Sequence, residues 1–132
     1  MTKFLLQFFT WWNGQTLGTR FYTWRFGNKV GEDEFGNVYY EGGENADGEA
    51  RRWVIYKDLA EASIIPPGWH GWIHHKVDTP PSQEDYKPRE WQKPHQPNLT
   101  GTPGAYRPLG SVLSPTHRPR VTGDYDAWTP GN

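Results

Sequence analysis

The chain has 132 residues, with 14 basic against 15 acidic side chains and no cysteine. This length allows one ordinary domain, the balanced charge indicates no particular partner, and the absence of cysteine excludes disulfides, thiolate metal sites and cysteine nucleophiles. Eight tryptophans, seven tyrosines and six phenylalanines are unusual, because aromatic side chains are the strongest anchors of protein interfaces as well as of cores.

Residues 1–18 begin with a short, strongly apolar stretch, MTKFLLQFFTWW, which predicts an N-terminal amphipathic helix. The stretch is too short to span a bilayer and lacks the features of a signal peptide. So large an apolar surface is expected to be buried against something, and three alternatives remain: a membrane interface, a groove on a protein, or the chain's own core. Residues 1–30 carry four basic side chains and no acid, a weak indication of phosphate or lipid headgroups. The candidate contact residues here are Phe4, Phe8, Trp11 and Trp12.

Residues 19–77 predict an α+β core: a small antiparallel β-meander of three to four strands with a short helix. The first strand is expected at residues 20–26, RFYTWRF, which is rich in β-branched and aromatic side chains. Tyr22 and Trp24 in this segment are further candidate partner contacts. Its alternation of basic and aromatic residues also suggests a weaker hypothesis, stacking on nucleic acid.

A hairpin follows, with strands at residues 29–33 and 38–41. They flank a four-residue loop in which Gly36 and Asn37 suit positive φ. The segment RRWVIY, residues 51–56, is the next strand. Its alternation is expected to place Trp53 and Ile55 on one face and Val54 and Tyr56 on the other.

The short helix is predicted from about residue 68 to residue 77, since Pro66 and Pro67 suit its first turn. Its apolar stripe is formed by Trp69, Trp72, Ile73 and Val77, and the first three are expected to pack onto the meander.

His70 and His74 lie four residues apart, a spacing that lets two imidazoles meet one metal ion. However, residue 71 is glycine, where a general base would be needed, and no third ligand stands at a recognisable spacing. The favoured interpretation is that both histidines make hydrogen bonds at the edge of the buried stripe. A metal-dependent enzyme at this pair is the weaker alternative.

Residues 78–132 predict a long, irregular, extended C-terminal tail, because they hold ten of the twelve prolines and few aliphatic residues. Aromatic residues nevertheless recur along it, as anchors for a partner would. These five residues, called the tail aromatics below, are Tyr86, Trp91, Tyr106, Tyr125 and Trp128.

Three ordered motifs, KVGEDEFGNVYYE (29–41), RRWVIY (51–56) and IIPPGWHGWIHHKVDTPP (64–81), together closely resemble a family of small accessory subunits of respiratory complex I, the NADH:ubiquinone oxidoreductase. The paralogue of this family is the assembly factor mimitin. The absence of transit-peptide character favours an alphaproteobacterial form. The core motif positions that carry the resemblance include Gly36, Tyr39, Trp53, Tyr56, Pro67, Trp69, His70, Trp72 and His74.

The resemblance implies a structural subunit without catalytic residues, cofactor or metal of its own. It implies a hetero-oligomer in which the chain clamps iron-sulfur-carrying core subunits of the hydrophilic arm, near the junction with the membrane arm. The expected location is peripheral, on the cytoplasmic face of the bacterial inner membrane, or on the matrix face in mitochondria. Lipid contact by the N-terminal helix stays open, and nucleic acid is not an expected partner. The alternative is a transient assembly factor for the same complex.

Overall fold

The structure, a computed structural model, describes residues 2–10 and 14–131, with side chains from residue 5 onward. In the described part, three antiparallel strands form one sheet in the order β1–β2–β3. This confirms the predicted α+β class. Trp11, Trp12 and the side chain of Phe4, all candidate contacts, lie outside the described residues. The elements are α1 (Thr2–Phe9), α2 (Leu17–Phe26), β1 (Asn28–Glu32), β2 (Val38–Glu44), β3 (Ala50–Ile55) and α3 (Pro67–Ile73), with short 3₁₀ turns at Ala62–Ile64 and Pro81–Gln83.

The β1–β2 hairpin forms where the sequence predicts it, with Glu32 paired to Val38 at its closed end. Gly36 has φ 85°, which a residue with a side chain adopts only under strain. Asn37 does not have the positive φ predicted for it. Instead, its side chain is buried and hydrogen-bonded, so this residue stabilises the turn through its amide rather than through its backbone.

The two faces of the sheet carry different layers, as the alternation along β3 predicts. Val54 pairs with Tyr39, and both side chains belong to the core under α3. Trp53 pairs with Tyr40 on the opposite face, and the two rings stack with centroids 6.1 Å apart. The sheet therefore separates an α3 layer from an α2 layer.

The strand predicted at residues 20–26 is wrong, because this segment lies within the helix α2. The hydroxyl of Thr16 accepts a hydrogen bond from the backbone N–H of Thr19 and caps the first turn. The ring of Tyr22 then packs on Trp53, with centroids 5.4 Å apart, and Trp53 Nε1 donates to Thr23 Oγ1 at 2.9 Å. Packing at helical spacing against the sheet thus outweighs the strand propensity of the segment.

The helix α3 is shorter than predicted, since it ends at Ile73 rather than near residue 77. The chain reverses at His75, whose φ of 53° is left-handed. The backbone N–H of Lys76 then donates to the carbonyl of Gly71 at 2.9 Å and closes the C-terminal turn. Val77 consequently leaves the apolar stripe and is exposed.

The chain forms two compact units, residues 1–98 and residues 99–132. The first unit therefore includes the beginning of the predicted tail. Ser82 Oγ donates to the carbonyl of Val30 at 3.1 Å, and the His95 ring hydrogen-bonds the carbonyl of Ser63 at 2.8 Å. Among described residues after Gln83, the chain forms only turns, bends and extended segments, in agreement with the predicted irregular C-terminal region.

Candidate partner interface

Three aromatic rings form the buried hydrophobic core of the described residues. Tyr39 is completely buried and stacks on Trp69, with centroids 3.9 Å apart and planes 6° apart. Trp72 is 1 % exposed and meets both rings edge-on. Gly31 is required opposite them, because a Cβ there would lie 2.7 Å from the Trp69 ring. The predicted packing of the two tryptophans on the meander is thereby confirmed.

A polar network joins the hairpin turn to this core. Both carboxylate oxygens of Asp33 are used: one accepts from two backbone N–H groups of the turn, the other from the Asn37 amide and the Tyr39 hydroxyl. Asn37 in turn accepts from the backbone N–H of Lys57 at 3.2 Å. Burial, aided by the hydrogen bond to Asp33, raises the pKa of Tyr39 far above its ordinary value. Tyr39 therefore stays a neutral donor that orients the carboxylate.

Arg52 has a structural role that the sequence analysis did not assign to it. Its guanidinium donates to the carbonyls of Trp72 at 2.8 Å and Val77 at 3.1 Å, and to the carboxylate of Glu41 at 3.2 Å. It also lies 4.8 Å from the Trp72 ring centroid. Arg52 thus holds the end of α3 to strands β2 and β3. The alternation along RRWVIY is the signal that could have indicated this role, because it places Arg52 on the same face as Val54, whereas Arg51 beside it is exposed.

The histidine pair of α3 does not make the hydrogen bonds expected of it. The side chains of His70 and His74 are exposed, their ring centroids lie 4.3 Å apart, and neither ring donates to or accepts from another described residue. Within the described ranges, no group of three or more metal-ligating side chains could hold an ion. The other core motif positions form the scaffold: Pro67 opens α3, and Tyr56 is half-buried, which raises its pKa.

The candidate contact residues lie outside this scaffold, and most are exposed. On α2, Trp24 is 78 % exposed, whereas Tyr22 is half-buried against Trp53. Phe8 on α1 is also exposed. All five tail aromatics are exposed, from 57 % for Tyr86 to 89 % for Tyr106. The structure therefore combines a small aromatic scaffold with exposed aromatic side chains on α1, on α2 and along the tail.

No helix in the described part of the chain is long and apolar enough to cross a membrane.

Comparison with known proteins places these features in context. A family model described as NADH ubiquinone oxidoreductase subunit NDUFA12 matches residues 27–130, beginning directly after α2. The chain is 41 % identical over 98 residues to NADH dehydrogenase (ubiquinone) 1 alpha subcomplex subunit 12 of Dictyostelium discoideum, which covers 71 % of this chain and 70 % of that protein. The corresponding Bos taurus protein is 39 % identical over 99 residues, covering 67 % of each. An uncharacterized protein of Rickettsia prowazekii is 46 % identical over 76 residues, covering 56 % of this chain and 74 % of its own.

Proposed function

The chain belongs to the NDUFA12 family of accessory subunits of respiratory complex I, and from this premise we propose that it clamps neighbouring subunits of the hydrophilic arm near the junction with the membrane arm. As a member of this family it is a non-catalytic accessory subunit, and its partners are subunits of complex I. The proposal concerns how it holds them, and where. Iron-sulfur-carrying core subunits are the proposed neighbours, and the proposed location is peripheral at the inner membrane.

The observation that carries the clamp is the exposure of the tail aromatics. Trp91 and Trp128 are 74 % and 78 % exposed, in segments without helix or strand. Tryptophan and tyrosine are enriched among the residues that dominate binding energy, and each such anchor contributes about 2 kcal/mol or more when it is buried by a partner. Anchors spaced along an irregular chain can reach more than one neighbour, which is what a clamp requires.

The folded core supports this role because it fixes where the tail begins. Ser82 and His95 tie residues 78–98 to the β1 strand and to the loop before α3. Phe35 adds an edge-on contact with the His95 ring, with centroids 5.9 Å apart. A partner that binds Trp91, which lies between these two ties, would therefore be held to the folded core and not to a free linker.

The test is retention of the subunit in complex I. A Trp91→Ala, Trp128→Ala double variant should be washed off by salt or detergent treatments that leave the wild type bound, since two anchors are lost. The matched control is Lys93→Ala with Thr129→Ala, exposed neighbours of the two tryptophans, and it should be retained. Quantitative mass spectrometry of this chain against a core subunit provides the measurement.

Equal retention of the double variant and the control would contradict the clamp. Electron transfer from NADH to an artificial acceptor should be the same in all three preparations, because the family is non-catalytic. Presence of the wild type in sub-assemblies and absence from the mature complex would instead favour the assembly-factor alternative.

A further inference from the structure

Helix α2 has aromatic side chains on two opposite sides, and only one of these sides packs against the sheet. Thr19, Tyr22, Thr23 and Phe26 follow the i, i+3, i+4, i+7 spacing of a single helix face, and that face meets Trp53 of the sheet. At about 100° per residue, Phe21 and Trp24 lie opposite this face. They are 65 % and 78 % exposed, and their ring centroids are 5.8 Å apart.

Two arginines flank this exposed aromatic pair. Arg20 lies on one side of it and Arg25 on the other by the same helical spacing, and both are exposed. The guanidinium of Arg25 lies 4.9 Å from the Phe26 ring centroid. No acid opposes these charges nearby in the sequence, because residues 1–30 contain four basic and no acidic residues. The outward face of α2 is therefore aromatic at its centre and basic along both edges.

Helix α1 adjoins this face through Arg20, whose Nη1 donates to Oε1 of Gln7 at 3.0 Å. Gln7 of α1 is half-buried, whereas Leu5, Phe8 and Phe9 beside it are exposed. Leu6 and Gln7 of α1 also line an open cavity of 240 Å³ that Leu59 borders from the chain after β3. The apolar surface formed by Leu5, Phe8 and Phe9 is exposed and is therefore not covered by packing on the chain.

We propose that α1 and the outward face of α2 dock together on an anionic lipid surface and lie in the plane of the interface. Tryptophan and phenylalanine insert at the level of the headgroups, while arginine extends its apolar stem along the bilayer surface and presents its guanidinium to phosphate. The absence of acid in this segment removes the repulsion that an anionic leaflet would otherwise impose. With ten residues, α2 suits a surface contact and not a span.

An acidic surface on a protein is the competing occupant, and a lipid surface fits better. A protein partner would need an acid opposite each arginine and a pocket for each ring. A fluid anionic leaflet can contact both arginines and the exposed Leu5, Phe8 and Phe9 of α1 at once. The inference goes beyond the clamp and does not depend on it, because the family match begins after α2 and the contact can be measured without complex I.

The experiment is co-sedimentation of the full chain with phosphatidylcholine vesicles, with and without phosphatidylglycerol. The wild type should require phosphatidylglycerol and be released by salt. Arg20→Gln with Arg25→Gln should weaken binding about thirtyfold, from the loss of two charges near the surface. Phe21→Ser with Trp24→Ser should weaken binding by about the same factor. Because these side chains are exposed, near-UV circular dichroism should show that the fold is intact.

Two tail variants serve as matched controls: Trp91→Ala with Trp128→Ala, and Arg89→Gln with Arg107→Gln. Each tail variant removes two exposed aromatic or two exposed basic side chains, the same number as the corresponding α2 variant, and should leave vesicle binding unchanged. A wild type that ignores phosphatidylglycerol, or α2 variants that bind as the controls do, would overturn the proposal. Tighter binding to a single-stranded oligonucleotide than to vesicles would overturn it in favour of nucleic acid. The result of vesicle binding does not affect the measurement of retention in complex I, so each proposal can be refuted without the other.

Discussion

Replacing Arg52 by methionine tests the assignment of this residue as the tie between α3 and the sheet. Methionine keeps an apolar stem of similar length and its contact with Trp72, but it removes the guanidinium. The carbonyls of Trp72 and Val77 then lose charge-assisted hydrogen bonds of 2.8 and 3.1 Å. Such bonds contribute about 1.5–3 kcal/mol each. The contact with Glu41 adds little, since that carboxylate is partly solvated.

Allowing for water that reaches the freed carbonyls, Arg52→Met should lower the free energy of unfolding by about 3 kcal/mol. Urea unfolding of the full chain, followed by tryptophan fluorescence, measures it. Arg51→Met is the matched control, because it removes the same charge one residue away from an exposed position, and should change the value by less than about 0.5 kcal/mol. Equal destabilisation by the two variants would refute the tie and reduce the effect of Arg52 to net charge.

Three further predictions concern the scaffold. Gly42→Ala should destabilise the fold by about 2 kcal/mol, because a Cβ there would lie 2.0 Å from the carbonyl oxygen of Phe26, whereas Gly123→Ala, with open space around it, should be neutral in the same urea titration. The raised pKa of Tyr39 keeps it protonated in the folded state, so its contribution to stability should be fully present below about pH 10 and should decrease above it, where the tyrosine of the unfolded chain ionises. Tyr39→Phe should reduce the loss of unfolding free energy at alkaline pH by about 1.4 kcal/mol per pH unit. An unchanged slope would contradict the assignment. His74→Ala should leave both stability and the metal content of the purified protein unchanged, because the imidazole is exposed; loss of bound zinc in the variant would revive the metal hypothesis.

The hairpin and α3 could be predicted from the sequence because local signals determine them. The four-residue loop at 34–37 contains a glycine and lies between two short strand segments, which favours a tight turn. Gly36 adopts the predicted positive φ. Likewise, Trp69 and Trp72 lie three residues apart, a spacing that places both large rings on one side of a helix. In both cases the chemistry that decides the structure lies within ten residues.

Helix α2 could not be predicted in this way, because its two faces are both aromatic. A helix with apolar rings on both sides has no simple hydrophobic period, so RFYTWRF looks like a strand. The decisive partner, Trp53, is thirty residues away in the sequence. The role of Arg52 was missed for a related reason. Whether an arginine in a strand is buried depends on what packs on that face of the sheet, and here the covering helix α3 lies about twenty residues later in the sequence.

The balance between buried and exposed side chains indicates how stable the free chain can be. In the described residues, three hydrophobic side chains are buried, whereas eighteen large ones are exposed. Burial of apolar area is the main source of folding free energy, and so small a core leaves the free chain marginal. A partner that binds the folded chain and not the unfolded chain would lower the free energy of the folded state by mass action. On the proposed clamp, the exposed aromatic residues would therefore link folding to incorporation: the chain would gain stability where its partners are present, and a chain left without them would be the form most readily unfolded and degraded.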